Sequence, residues 1–207
     1  MTTLHSVVLE VADRASAERF LTDAFGLTGQ VRVRESSAET TGFRDFTLSL
    51  TVAQPSTVSS LFETAVDAGA TVVKPVTKSL WGYGGVVQAP DGTIWKIATS
   101  AKKDTGPATR EIDSVVLLLG CEDVAESKKF YVDHGLTVAR SFGRKYVEFD
   151  ATGPVKLGLY ARKALAKDAG VPVDGSGSHR IVLTMDADTF VDPDGFAGEP
   201  AQHLADR

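Results

Sequence analysis

The sequence predicts an α+β fold in which helices pack on one face of strongly curved sheets. β-Branched runs indicate strands, and segments with an apolar stripe at helical spacing indicate amphipathic helices. A degenerate internal repeat presents these elements twice in the same order, which predicts a duplicated fold. The matching segments, in chain order, are "LHSVVLEV" (4–11) with "IDSVVLLL" (112–119), "FLTDAFGLT" (20–28) with "FYVDHGLT" (130–137), and "APDGTIWK" (89–96) with "DPDGFAGE" (192–199).

Each half begins with a predicted strand followed by a predicted helix. The helix of the first half is marked by apolar residues at i, i+3, i+4, i+7 and i+8, namely Ala17, Phe20, Leu21, Ala24 and Phe25. Asp13 is suited to cap its first turn and Gly26 to end it. The second half has the corresponding helix at about 123–134, with Gly135 as its stop. Both helices therefore present one apolar face to a sheet.

The two halves then diverge. The first continues with a short strand "QVRVRE", a strand "RDFTLSLTV", a second helix, and the strands "ATVVKPV", "GYGGVVQA" and "TIWKIAT". The second continues with the strands "LTVARSFG", "RKYVEFD" and "VKLGLYA", a short helical piece "ARKALAKDAG" and a strand "SHRIVLTM" that leads directly to the last hairpin. The first half is therefore shortened at its front and the second at its rear.

The predicted boundary between the halves is a polar stretch without apolar periodicity. It contains Gly106 and Pro107, which is typical of a linker. We therefore predict a first domain at 1–100, a linker at 101–110, a second domain at 111–200 and a tail at 201–207.

Composition narrows the possible functions. The 207 residues are 43% hydrophobic and 24% charged, as in ordinary globular proteins, and the net charge of −5 argues against a nucleic-acid partner. No apolar run approaches the roughly 20 residues of a membrane helix. The first residues lack the pattern of a secretory signal, and the single Cys121 has no partner for an intrachain disulfide. These observations favour a cytoplasmic protein.

The repeated pattern of a strand "SVVL", a helix ending in "F-G-L" and a closing "D-P-D-G" hairpin resembles the vicinal oxygen chelate superfamily. That group includes glyoxalase I, bleomycin-resistance proteins and extradiol dioxygenases, and the closest likeness is to two-domain glyoxalase-like proteins. The resemblance covers 4–199 apart from the linker. It implies duplicated βαβββ modules whose sheets form ligand-holding cups with helices on the outer face. In the family's enzymes the cup holds one divalent metal, such as Zn, Ni, Mn or Fe, between opening-strand His or Gln and closing-strand Glu.

Most of the family's metal positions carry poor ligands here. The resemblance places Ser6 and Ser114 at the opening-strand positions, and an un-ionised hydroxyl binds these metals poorly. Lys96 occupies the closing-strand position of the first half, and an ammonium group has no lone pair to donate. His179 and Glu199 remain as candidate ligands or catalytic groups in the second half, fewer than the three protein ligands of a usual catalytic site.

A metal-free cup would still offer a concave, partly apolar pocket. Trp81 and Tyr83 are two residues apart on a strand-like segment, which predicts that they share one face. They and Tyr146 are candidates to contact an aromatic ligand, together with Ser6, Ser114 and Lys96 in the cup. If Lys96 faces the cup, then Trp95 faces the helices and belongs to the core.

Three functions follow from these alternatives. The preferred one is a metal-independent glyoxalase/bleomycin-resistance-like protein, without a cofactor, that binds a small aromatic or amphipathic molecule. The second is a metal-dependent lyase, isomerase or dioxygenase that uses Glu199 and His179. The third is a structural or interaction role with vestigial pockets. In each case we expect the two complete central modules to pair into one cup, and the shortened outer modules to cap it or to form a homodimer.

Overall fold

A computed structural model of the protein describes residues 2–201, so the predicted tail lies outside the described residues except for Ala201. The helices are α1 (Arg14–Phe20), which continues into a π-helical turn (Leu21–Phe25), α2 (Pro55–Asp67), α3 (Val124–Asp133) and α4 (Arg162–Ala169). The strands of the first half are β1 (Leu4–Val11), β2 (Val31–Glu35), β3 (Thr40–Gly42), β4 (Phe46–Thr51), β5 (Thr71–Ser79), β6 (Gly82–Gln88) and β7 (Ile94–Thr99). Those of the second half are β8 (Ser114–Cys121), β9 (Val138–Ser141), β10 (Tyr146–Phe149), β11 (Val155–Ala161), β12 (Gly175–Gly177), β13 (Ile181–Met185), β14 (Phe190–Val191) and β15 (Ala197–Pro200).

The strands form two large mixed sheets and one short ribbon, which confirms the predicted α+β class. The eight-stranded sheet has the order β5-β6-β7-β4-β8-β11-β10-β9, and the five-stranded sheet has the order β14-β15-β13-β1-β2. The ribbon pairs β3 with β12. No helix among residues 2–201 is long and apolar enough to span a bilayer.

Each sheet takes strands from both halves of the sequence repeat. Antiparallel pairing of β4 with β8 joins the two complete central modules, and antiparallel pairing of β1 with β13 joins the shortened outer ones. The central modules therefore pair as expected, but the outer modules do not cap their sheet, because β1 and β13 pair with each other in a sheet of their own. Residues 101–110 contain no helix or strand, and the side chain of Gln54 binds them through the backbone of Thr105, Gly106 and Pro107.

The first helix begins and ends where its sequence predicts. The Asp13 carboxylate accepts a hydrogen bond from the Ser16 amide at 2.9 Å and so satisfies an amide that has no partner within the helix. Gly26 follows in the left-handed conformation, with φ of 69°, and ends the π-helical turn. The turn buries Leu21, Ala24 and Phe25 against the sheets.

One hydrophobic core extends between the two sheets and the helices. Trp95 is completely buried in it, with its ring centroid 4.9 Å from that of Phe25, which confirms the predicted core position. Leu48 and Leu117 face the same core from the middle of the eight-stranded sheet. Because burying one such side chain stabilises the fold by roughly 1.5–3 kcal/mol, this core fixes the helix-facing side of both sheets.

Candidate functional site

The face of the five-stranded sheet that points away from the core bears a cavity of about 530 Å³, and we call this face the open cup. Strand register determines which residues face it, since paired residues on neighbouring strands point to the same side. Ser6 pairs with Thr184, and Thr184 pairs with Glu199. Glu10 pairs with Arg34 on the adjoining strands. The cavity lining includes Glu10, Arg34, Val182, Ala197 and Glu199.

A three-membered ion cluster crosses the open cup. Arg34 donates from Nη1 to Glu199 Oε2 at 3.1 Å and from Nη2 to Glu10 Oε1 at 2.9 Å. Burial acts to lower the pKa of the Arg34 guanidinium, but the bonds to both carboxylates raise it above its ordinary value. The cluster carries two negative charges and one positive charge. The residues that line the cavity therefore contribute one net negative charge, and Arg32, on the same sheet face but outside the cavity lining, contributes a positive one.

Two hydroxyl groups lie next to this cluster without a hydrogen-bond partner. Ser6 and Thr184 are buried, and neither side-chain oxygen has a partner among residues 2–201. An unpaired buried hydroxyl costs about 1–3 kcal/mol. Ser6 therefore lies on the cup face, where the family resemblance placed it, but its buried hydroxyl is outside the cavity lining, and its contact with a ligand remains a prediction.

His179 also lines this cavity, but both of its ring nitrogens are engaged by main-chain carbonyl oxygens. Its Nδ1 lies 2.9 Å from the Arg44 carbonyl oxygen and its Nε2 lies 3.0 Å from the Asp194 carbonyl oxygen. The ring also stacks on Phe196, with centroids 4.1 Å apart. Because both nitrogens face carbonyl oxygens, neither lone pair is directed toward Glu199.

These residues do not fit a divalent metal. Glu199 is held by the Arg34 cation, Ser6 is a neutral hydroxyl, and His179 faces two carbonyls. No group of three or more His, Cys, Asp or Glu side chains within residues 2–201 could hold a metal ion. A catalytic zinc site usually has three such ligands.

The equivalent face of the eight-stranded sheet is covered by α4, and we call it the filled cup. Leu165 and Ala166 are buried there with Phe43, while Ala169 packs with Val86 and Ile94. The sequence predicted the helical piece but not its position. Its apolar residues were the available signal, because a short amphipathic helix needs a surface to cover.

Lys96 faces the filled cup, in register with Ser49 and Val86, as the strand alternation predicted. Its Nζ lies 2.7 Å from Asp168 Oδ2 on α4. Lys74 donates to the main-chain oxygens of Lys167 and Asp168 at the end of the same helix. A cation at this position is favoured by the helix dipole. Lys96 therefore helps to hold α4, and its predicted contact with a ligand remains untested.

The other predicted ligand contacts are dispersed. The Ser114 hydroxyl bonds with that of Thr51 at the end of the pairing between β4 and β8. Tyr146 stands edge-on to Tyr160 with ring centroids 5.7 Å apart, and burial, together with Glu148, raises the pKa of its hydroxyl. These two residues therefore lie on the eight-stranded sheet, apart from the open cup.

Trp81 does not lie on a strand, contrary to the prediction. The chain turns at Leu80 and Trp81 before β6 begins, which leaves the Trp81 side chain 88% exposed. Tyr83 lies on β6, and its hydroxyl is 3.1 Å from that of Ser59 on α2. The two aromatic residues therefore do not form a joint wall on one strand, and their role in ligand binding remains a prediction.

Arg34 and Glu10 were missed by the sequence analysis. Both lie on predicted strands. The pairing of β1 with β2 brings them together, and the pairings of β1 with β13 and of β13 with β15 add Glu199. The available signal was the alternation of "VRVRE", which directs Arg32 and Arg34 to one face.

No protein-family model matches the sequence, and no curated protein matches it. Solved structures with a similar fold include glyoxalase I from Zea mays, at 14% sequence identity and a TM-score of 0.61, with 96% of this chain and 91% of that chain covered. A putative dioxygenase from Bacillus subtilis matches at 10% identity and a TM-score of 0.59, with 99% and 90% covered. The chain therefore has the vicinal oxygen chelate fold, as predicted, and at these identities the likeness establishes the fold alone.

Proposed function

We propose that this protein is a metal-independent, glyoxalase/bleomycin-resistance-like protein that binds a small amphipathic or aromatic molecule in its open cup. The observation that carries the proposal is the contrast between the two cups. The open cup has a cavity of about 530 Å³, within the usual range of roughly 300–1,000 Å³ for small-molecule sites. The filled cup is covered by α4.

The lining of the open cup suits a ligand with an apolar body and a cationic or hydrogen-donating group. Val182 and Ala197 provide apolar surface, and Glu10 and Glu199 provide two carboxylates for the single charge of Arg34. Partly exposed ion pairs are worth little, about 0–1 kcal/mol, so a ligand cation can compete with Arg34 for either carboxylate.

Binding of an aromatic amine tests this proposal. Phenethylamine titrated calorimetrically should bind, and phenylacetate, which reverses the charge on a similar body, should not. Glu199→Gln should weaken phenethylamine binding about fivefold, because one of two charge contacts of roughly 1 kcal/mol is removed. Glu63→Gln, an exposed change on α2, is the matched control and should leave the affinity unchanged. Equal affinity for the amine and the acid would contradict the proposal.

The metal-dependent alternative has its own test. Metal analysis of protein purified without a histidine tag should find no stoichiometric Zn, Ni, Mn or Fe. A stoichiometric metal that Glu199→Ala removes would contradict the proposal and support an enzyme that uses Glu199 and His179. Homodimer formation is a further proposal, and light scattering at several protein concentrations tests it.

A further inference from the structure

We infer that a second cavity, on the core side of the sheets, binds a small aromatic carboxylate. This cavity of about 240 Å³ lies between α1 and the turn that joins β6 to β7. Leu9 and Trp95 line it, and both point away from the two cups, since they alternate with Glu10 and Lys96 on their strands. The cavity is therefore separate from the open cup, and the inference does not depend on the proposed function.

Two guanidinium groups border the cavity without a carboxylate contact. Within residues 2–201, neither Arg44 nor Arg180 has a carboxylate oxygen within 4.0 Å. Burial lowers the pKa of Arg44, and the nearby charge of Arg180 adds to this effect, while the charge of Asp91 opposes it. An anion placed beside both groups would offset their desolvation and their mutual repulsion.

The arginines keep donors available for such an anion. Arg180 donates from Nη1 to the Ser36 carbonyl at 2.9 Å and from Nη2 to that of Ala38, but its buried Nε has no partner within the described chain. Arg44 donates from Nη2 to the Asp91 carbonyl at 2.5 Å. The main-chain contacts hold both side chains in place without a hydrogen bond to a carboxylate.

The two carboxylates in the cavity lining are occupied by their own loops. Asp13 accepts from the Ser16 amide and caps α1. Asp91 accepts from the Thr93 amide at 3.2 Å and from its hydroxyl at 2.6 Å. These bonds explain why neither carboxylate turns toward a guanidinium. The donors of the arginines therefore remain for a molecule that brings its own negative charge.

The apolar lining of this cavity suits the aromatic ring of the ligand. Phe20, Leu21 and Trp95 provide an apolar and aromatic lining. Trp95 is completely buried beside the cavity, and its Nε1 has no hydrogen-bond partner within residues 2–201. The volume lies below the roughly 300–1,000 Å³ of most small-molecule pockets, so the cavity suits a single ring bearing one acid group.

Benzoate is the probe for this site, and benzyl alcohol is its uncharged counterpart. Benzoate should bind saturably by calorimetry and raise the melting temperature, because it binds only the folded state. Benzyl alcohol and inorganic phosphate should do neither. Arg44→Gln should weaken benzoate binding at least tenfold. Ala17→Leu should abolish it, because this change fills the cavity from α1 and leaves both arginines intact.

Cross-controls separate this site from the open cup. Glu199→Gln should retain benzoate affinity, and Ala17→Leu should retain phenethylamine affinity. Saturable binding lost in Ala17→Leu but kept in Glu199→Gln supports the inference. The inference would be overturned if benzoate does not bind saturably, or if benzyl alcohol binds equally well. It would also be overturned if phenyl phosphate binds more tightly than benzoate, or if Ala17→Leu leaves the benzoate affinity unchanged. If Arg44→Gln does not fold, the role of the positive charge is tested by comparing the affinities of benzoate and benzyl alcohol for the unaltered protein.

Discussion

The two cups share the arrangement of their four central strands, and they differ in the number of strands, eight against five, and in what covers them. In the filled cup, Leu165 of α4 is completely buried, and Lys96 and Lys74 hold the helix at its end. In the open cup, the corresponding sheet face carries Arg34 between two carboxylates. In a duplicated fold, one concave sheet face can therefore be covered by a packed helix while the other stays accessible.

The largest effect is expected from truncating the buried leucine by which α4 fills its cup. Leu165→Ala should lower the free energy of unfolding by about 2–5 kcal/mol, because a buried leucine is lost and a cavity remains. Urea unfolding measures this change, and Lys163→Ala, exposed on the same helix, is the control. A loss below about 1 kcal/mol would mean that α4 does not fill the cup and that the two faces are alike.

The repeated hairpins offer a second comparison. Ala89 and Asp192 are at equivalent places, and each donates its amide to the carbonyl oxygen four residues later. Asp192 also accepts a 2.8 Å hydrogen bond from the Tyr131 hydroxyl on α3. Asp192→Ala should lower the free energy of unfolding by about 1–3 kcal/mol, because the buried hydroxyl loses its acceptor. Asp192→Asn retains the shape and should cost less in the same urea experiment, and an equal cost for both would contradict this account.

Asp192 should also make stability depend on pH. Burial raises the pKa of its carboxyl above the ordinary 3.8, against the opposing effect of its hydrogen bonds. The folded state then holds the proton more tightly than the unfolded state, so this contribution is present below the unfolded pKa and is lost as pH rises through the folded pKa. The free energy of unfolding relative to Asp192→Asn should decrease as pH rises above about 4. A flat difference between pH 4 and 7 would contradict the assignment.

The smallest effect is expected at the ion pair on the edge of the filled cup. Lys96→Met should change the free energy of unfolding by no more than about 1 kcal/mol, because both side chains of the pair are more than a third exposed. A double-mutant cycle with Asp168→Asn isolates the interaction. A coupling above about 2 kcal/mol would show that charge, rather than apolar packing, holds α4.

Features set by local periodicity could be predicted from the sequence. Asp13 and Gly26 marked the ends of the first helix, and the alternation of Trp95 and Lys96 separated the core face from the cup face. The repeated closing hairpin was part of the pattern whose family resemblance predicted the fold. Each of these depends on neighbouring residues, whose geometry is fixed by the 3.6- and 2-residue periods.

Features that depend on distant pairing could not be predicted. Arg34 and Glu199 meet across 165 residues, through three strand pairings that the sequence does not specify. The apolar stripe of α4 indicated a buried helix but not the surface that it covers. Trp81 was assigned to a strand because a glycine-rich segment gave no signal for the turn that exposes it.

The pairing of β1 with β13 has a consequence for how the protein is made. β1 ends at Val11 and β13 begins only at Ile181, so β1 leaves the ribosome well before its partner. Because synthesis adds about 5–20 residues per second, one edge of β1 stays unpaired for roughly 10–35 s. The adjacent β4 and β8 belong to the middle of the chain and can pair sooner. We therefore expect the eight-stranded sheet to form first during synthesis and to serve as the surface on which the five-stranded sheet is completed.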